Sequence, residues 1–132
     1  MPIVGTSPAI HVPAGGATIV FLIDGGGSAI STGIKGDVLV TFAGTIQSAT
    51  LLADQTGSIV VDIWKSTYAG FPPTSGNSIT GGSPPTIASA DSSQDTTLSG
   101  WTTAISAGDI LRINVASAST VTRVTLALGI AR

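Results

Sequence analysis

Ser58-Ile59-Val60-Val61-Asp62-Ile63-Trp64-Lys65 carries the clearest structural signal in the chain. Ile59, Val61 and Ile63 occupy alternate positions, with Val60, Asp62 and Trp64 between them. Side chains of a strand point to opposite faces in turn, so one face of this segment is aliphatic and the other mixed. That is the pattern of a strand with one side against a core and the other nearer to solvent.

Working outward, the same kind of segment recurs: Thr18 to Asp24, Asp37 to Ala43, Ile46 to Ala53, Thr97 to Ala104 around Trp101, Ile110 to Ala116 and Thr120 to Ile130. Each is short and bounded by Gly, Pro, Asp or Ser, as in all-β sandwiches and barrels. Thr, Ile and Val are abundant and Glu is absent; β-branched residues lose side-chain freedom in helices and suit a pleated sheet. Gly44-Thr45 is expected to close a hairpin, and Asp54-Gln55-Thr56-Gly57 and Ala107-Gly108-Asp109 to form turns. Residues 25–36 read as a glycine-rich connection anchored by Ile30 and Ile34. Residues 66–97, broken by Pro72-Pro73, Gly81-Gly82 and Pro84-Pro85, read as loop. The expected architecture is all-β: an antiparallel β-sandwich of jelly-roll type spanning residues 17–132, preceded by an extended N-terminal arm, residues 1–16.

Charge narrows the function. Of 132 residues only 9% are charged, against roughly 25% in an average soluble domain. The seven acids are all Asp, the net charge is −2 and the pI is near 4.8. A nucleic-acid surface needs a basic patch, so none is expected. No apolar run approaches the ~20 residues that span a bilayer, and no membrane partner is expected. The chain is expected to function as written from Met1, without a cleaved leader. With no Cys there are no disulfides or thiolate metal sites.

Catalytic constellations are weak. The single histidine, His11, lies in the arm, where a rigid nucleophile–base geometry is hard to hold. Asp24, Asp37, Asp54, Asp91 and Asp109 read as turn residues that bond their own backbone. Asp62 lies inside a strand, with Lys65, Arg112 and Arg123 as expected ion-pair partners. Asp91-Ser92-Ser93-Gln94-Asp95 imitates the start of a calcium loop but has Thr96 and Thr102 where Gly and Glu are diagnostic. Asp24-Gly25-Gly26-Gly27-Ser28 lacks the Lys and following helix of a phosphate loop. No enzymatic activity, metal or cofactor is expected.

Ser58 to Lys65, continued by Ser66-Thr67-Tyr68-Ala69-Gly70-Phe71-Pro72-Pro73-Thr74, resembles a segment of tailed-bacteriophage virion proteins. So do Ile23-Asp24-Gly25-Gly26-Gly27-Ser28-Ala29-Ile30, Gly33-Ile34-Lys35-Gly36-Asp37, and Gly100-Trp101-Thr102-Thr103 with Ile105-Ser106-Ala107-Gly108-Asp109. The resemblance covers roughly residues 19–128 and contains no catalytic signature. It implies a jelly-roll-type sandwich in a particle-attached assembly, and therefore a virion location.

Within a virion, a short chain with an arm and no stalk suits a capsid decoration, or cement, protein bound across major capsid protein subunits. The alternative is a receptor- or glycan-binding module of a tail fibre or baseplate, with a host glycan as partner. Sparse charge and unguarded strand edges predict a homo-oligomer, and a trimer is favoured by analogy with proteins on capsid threefold positions. Two sets of contact residues follow. Ile3, Val4, Ile10 and Val12 make the arm apolar and suited to lie on a neighbouring subunit or the capsid. Trp64, Tyr68 and Phe71 cluster beside the Pro72-Pro73 loop, where aromatic faces either stack on sugar rings or cover a subunit contact.

Overall fold

The structure, a computed structural model, describes residues 16–132. Residues 1–15 of the arm, with Ile3, Val4, Ile10, His11 and Val12, lie outside the described residues, and Gly16 is the first residue of a strand. The remainder is all-β and antiparallel. Its strands are β1 (Gly16–Asp24), β2 (Gly33–Leu39), β3 (Gly44–Ser66), β4 (Thr86–Asp95), β5 (Ala104–Ile105), β6 (Ile110–Ser119) and β7 (Arg123–Ala131), with one 3-10 turn at Ser75–Asn77. The order is β1-β7-β3-β6-β2, and β4 and β5 also pair with β3.

Strand β3 organises the molecule. Its first half, Thr45 to Ala53, pairs with β7, and its second half, Ser58 to Ser66, pairs with β6. One sheet is thereby bent at residues 54–57 into two layers. The interior faces of both layers meet in one core containing Ile46, Leu51, Ile59, Val61 and Ile63 of β3 with Ile113, Val115, Leu126 and Leu128. The alternation of Ile59, Val61 and Ile63 is therefore an inward face, each of the three fully buried.

The expected turn at Asp54-Gln55-Thr56-Gly57 is instead a corner within a continuous strand. Its cause is a set of bonds to the distant β6–β7 connection. Thr122 N and Arg123 N both donate to Asp54 Oδ1 at 3.0 Å, the Thr122 hydroxyl donates to Asp54 Oδ2, and Gln55 Nε2 donates to Thr120 O at 2.8 Å. Gly57 lets the chains approach, because a Cβ there would stand 2.5 Å from Ser119 O and 2.8 Å from Val121 Cγ1.

Four further expectations change. Residues 37–43 and 46–53 form no hairpin: β2 pairs with β6, from Gly33 opposite Val115 to Leu39 opposite Ile110. The chain crosses between layers at residues 40–43, where Val40 N donates to Asp109 O at 2.8 Å. Residues 86–95, read as loop because they are polar, form β4 and pair with both halves of β3. Of the segment around Trp101 only Ala104–Ile105 is strand; Trp101 precedes it, its indole donating to Ser83 O at 2.9 Å. Of the two anchors in the glycine-rich connection, Ile30 is buried and Ile34 is 51% exposed. The turn at Ala107-Gly108-Asp109 forms as expected, Asp109 accepting from Ser106 N at 2.8 Å.

The corner should sense acid. The Asp54 carboxyl is lowered from 3.8 to about 2, first by the Thr122 hydroxyl and then by the Arg123 amide. A carboxyl depressed by folding stabilises fully above its unfolded value and loses that contribution as pH falls through its folded value. Urea midpoints should therefore be level from neutral pH to about pH 4 and fall between about pH 4 and pH 2. Asp54→Asn should lower the midpoint at neutral pH and make the acid decline shallower.

Candidate functional site

Two surface features are built from these strands. The first is a cleft on the outer face of the β2–β6–β3 layer. In register, Asp37 stands opposite Arg112 and Arg112 opposite Trp64, while Leu39 stands opposite Ile110 and Ile110 opposite Ser66. The loop following β3 folds back over these rows. Asp37, Leu39, Tyr68, Phe71 and Ile110 then line an apolar cleft of about 330 Å³.

Tyr68 is 82% exposed and Phe71 43%, so both rings face solvent. Gly70 N donates to Thr67 Oγ1 at 3.1 Å and Phe71 N to Tyr68 O at 3.2 Å, which fixes the turn that carries them. Arg112 donates to Asp37 through Nε at 2.8 Å and Nη2 at 3.1 Å, and its guanidinium lies 5.1 Å from the Phe71 ring centroid. Forked bonding and ring stacking together hold the arginine in one orientation.

Of the three aromatics expected to cluster, the structure joins Tyr68 and Phe71 but separates Trp64. The Trp64 indole donates to Asp62 Oδ2 at 3.0 Å. Asp62 Oδ1 accepts from Ser78 Oγ and Thr80 Oγ1, each at 2.7 Å, and from Ile63 N at 2.8 Å. The expected ion pair of Asp62 is thus replaced by a ring of neutral donors. Burial pushes the Asp62 carboxyl up, but bonds from Thr80, Ser78, Trp64 and Ile63 outweigh it and hold the group below its ordinary value. A carboxylate so held is a poor proton donor. Its expected partners are placed elsewhere: Arg112 on Asp37, Lys65 Nζ at 4.0 Å from Asp109, and Arg123 through its backbone on Asp54.

Asp37, Asp54 and Asp91 lie in strands rather than turns. In the calcium-like run, Asp95 Oδ1 accepts from Thr97 N and Leu98 N at 2.9 and 3.0 Å, ending β4. Among the described residues no three His, Cys, Asp or Glu side chains gather as a metal site.

The second feature is the outer face of the β1–β7–β3 layer. Thr18, Val20 and Leu22 of β1 lie opposite Gly129, Ala127 and Thr125 of β7, which lie opposite Ser48, Thr50 and Leu52 of β3. Thr50 and Leu52 lie in turn opposite Gln94 and Ser92 of β4. None of these residues is charged. Val20, Leu22 and Leu52 are 59%, 52% and 52% exposed. Among the described residues β1 pairs with β7 alone, leaving one edge open beside this face. Comparison of the chain with protein-family models, curated proteins and solved structures finds no match in any of the three.

Proposed function

We propose that this chain is a non-enzymatic virion structural protein, a capsid decoration protein that assembles as a homotrimer and binds across major capsid protein subunits. The observation that carries the reading is the uncharged outer face with Val20, Leu22 and Leu52 exposed beside β1, which among the described residues pairs with β7 alone. Sheet edges and faces exposed to water are commonly guarded by charge, Lys above all; here charge is confined to the end of the face, where Asp24 lies opposite Arg123. Burying such a face gains about 25 cal/mol per Å² before association costs, without desolvating charges. The resemblance to phage virion proteins supports the setting. The arm residues Ile3, Val4, Ile10 and Val12 would add apolar area to the same attachment.

The carboxylates support the non-enzymatic reading, since Asp54, Asp62, Asp95 and Asp109 each accept backbone or side-chain hydrogen bonds that hold the fold.

The test combines location and assembly. The protein should decorate the capsid lattice of a purified particle, and light scattering should give a trimer mass at micromolar concentration. A Val20→Lys/Leu52→Lys double variant should keep its stability within about 1 kcal/mol, both sites being solvent-exposed, yet lose trimer and lattice occupancy together. Deletion of residues 1–16 should leave the sheet folded and lower occupancy. Density only at the tail would overturn the capsid reading, and a monomer that still fills the lattice would overturn the trimer.

A further inference from the structure

The Tyr68–Phe71 cleft lies on the opposite layer from the neutral face and is not used by the attachment just described. Its composition is specific. Its lining combines the aliphatic Leu39 and Ile110, the aromatic Tyr68 and Phe71, and one charged group, Asp37, which is already neutralised by Arg112. A charged ligand gains little at a rim whose two charges cancel. A ligand that is apolar on one face and rich in hydroxyls around its edge fits each part.

Each Asp37 oxygen accepts one Arg112 hydrogen bond, and a carboxylate oxygen has capacity for a second. Two adjacent hydroxyls can therefore donate to the two oxygens while the C–H face of the ring lies on Tyr68 and Phe71. The Arg112 fork holds the carboxylate in place before any ligand arrives, and that preorganisation lowers the entropic cost of binding.

The Ser66 hydroxyl, in the row with Leu39 and Ile110, is buried and has no hydrogen-bond partner among the described residues. The loop carrying Tyr68 and Phe71 passes over it, since a methyl built on Gly70 would lie 4.0 Å from the Ser66 Cβ. Buried hydroxyls are normally paired, but Ser66 does not line the cleft and its hydroxyl is shut off from it, so the polar contacts of a ligand fall to Asp37. The volume of about 330 Å³ is at the small end of ligand sites, matching one or two sugar rings.

We propose that the cleft between the 67–73 loop and the β2–β6 rows binds a pyranose ring of a neutral saccharide, stacked on Tyr68 and Phe71 and hydrogen-bonded through adjacent hydroxyls to Asp37. The experiment is an amide NMR titration of the full chain. The probes are methyl glucosides, galactosides, mannosides and N-acetylglucosaminides, with their disaccharides, each raised to about 50 mM, well above a roughly millimolar dissociation constant.

The expected result is saturable shifts at Leu39, Tyr68, Phe71 and Ile110 with at least one neutral sugar. Tyr68→Ala, at a largely exposed position that leaves folding intact, should weaken binding about tenfold or more, and Asp37→Asn should weaken it with Tyr68 unchanged. Absence of saturable shifts with every sugar would overturn the proposal. So would shifts that survive Tyr68→Ala, or a glucuronate or sialate bound about tenfold tighter than any neutral sugar. Tyr68→Ala protein should still occupy particles fully, which separates this site from the attachment face.

Discussion

An Ile63→Ala variant will lose about 3 kcal/mol of stability, and the loss will be felt in both layers. Ile63 is fully buried in the half of β3 that pairs with β6. Truncating a buried Ile to Ala removes transfer energy and leaves a cavity, and the observed range is about 2–5 kcal/mol. In a domain of this size that corresponds to a fall in Tm of roughly 10–15 °C. The distribution of the loss follows from β3 being one strand through the corner. The layer of β1 and β7 is tied to the layer of β6 and β2 by the β3 backbone, by β4 along both halves, and by the Asp54 clamp. Hydrogen exchange should therefore accelerate in β1 and β7 as well as in β6. Ile63→Val, which keeps the ladder and most of the volume, should cost only about 1 kcal/mol. Wild-type protection in β7 beside lost protection in β6 would show that the layers unfold independently.

Asp62→Ala will cost about 1–3 kcal/mol, because it strands donors that are buried or half-buried rather than deleting a surface charge. The Trp64 indole and the hydroxyls of Ser78 and Thr80 all converge on this carboxylate, and Thr80 is 1% exposed. Ser78 Oγ and Thr80 Oγ1 lie 3.1 Å apart and can bond one another, but the Trp64 indole loses its acceptor. Asp62→Asn keeps the shape and one acceptor oxygen but turns an amide donor toward other donors, so it should recover part of the loss. The loss should be nearly independent of salt between low and high ionic strength, since no cation partners Asp62. A strong salt dependence would indicate an ion pair instead. Tryptophan fluorescence should report the change directly, through the freed Trp64 ring.

The contrast between these two residues shows where local sequence carries information. The alternation of Ile59, Val61 and Ile63, repeated in Val124, Leu126, Leu128 and Ile130, identifies strands and their inward faces, because side-chain direction along a strand is set by the backbone alone. All seven of these residues are buried in the core. Asp62 is recognisable as a strand carboxylate, but its partners are not. Ser78 and Thr80 reach it by way of a loop whose path depends on what it packs against.

β4 escapes detection for a related reason. Thr86–Asp95 has one large buried side chain, Ile87, and is otherwise small or polar. It is a strand because β3 offers it a hydrogen-bonding edge, and strand preference depends on such neighbours more than on the residue itself. The corner at residues 54–57 has the composition of a turn and becomes strand only because Thr122 and Arg123 arrive from almost seventy residues away.

The sites divide in the same way. Tyr68 and Phe71 are neighbours in sequence, and their joint exposure beside a proline-rich loop is readable there. Asp37, Arg112, Leu39 and Ile110 join them through the pairing of β2 with β6, and Asp37 and Arg112 are 75 positions apart. The uncharged outer face likewise needs β1, β7 and β3 set side by side before Val20, Leu22 and Leu52 become one surface. Sequence by itself determined the all-β class, the inward residues of the strongest strands and the scarcity of charge, because each depends on backbone periodicity or composition. Tertiary structure decided the bend, the partner of each strand and the membership of both surfaces, because strand pairing is fixed by burial between segments far apart in the chain.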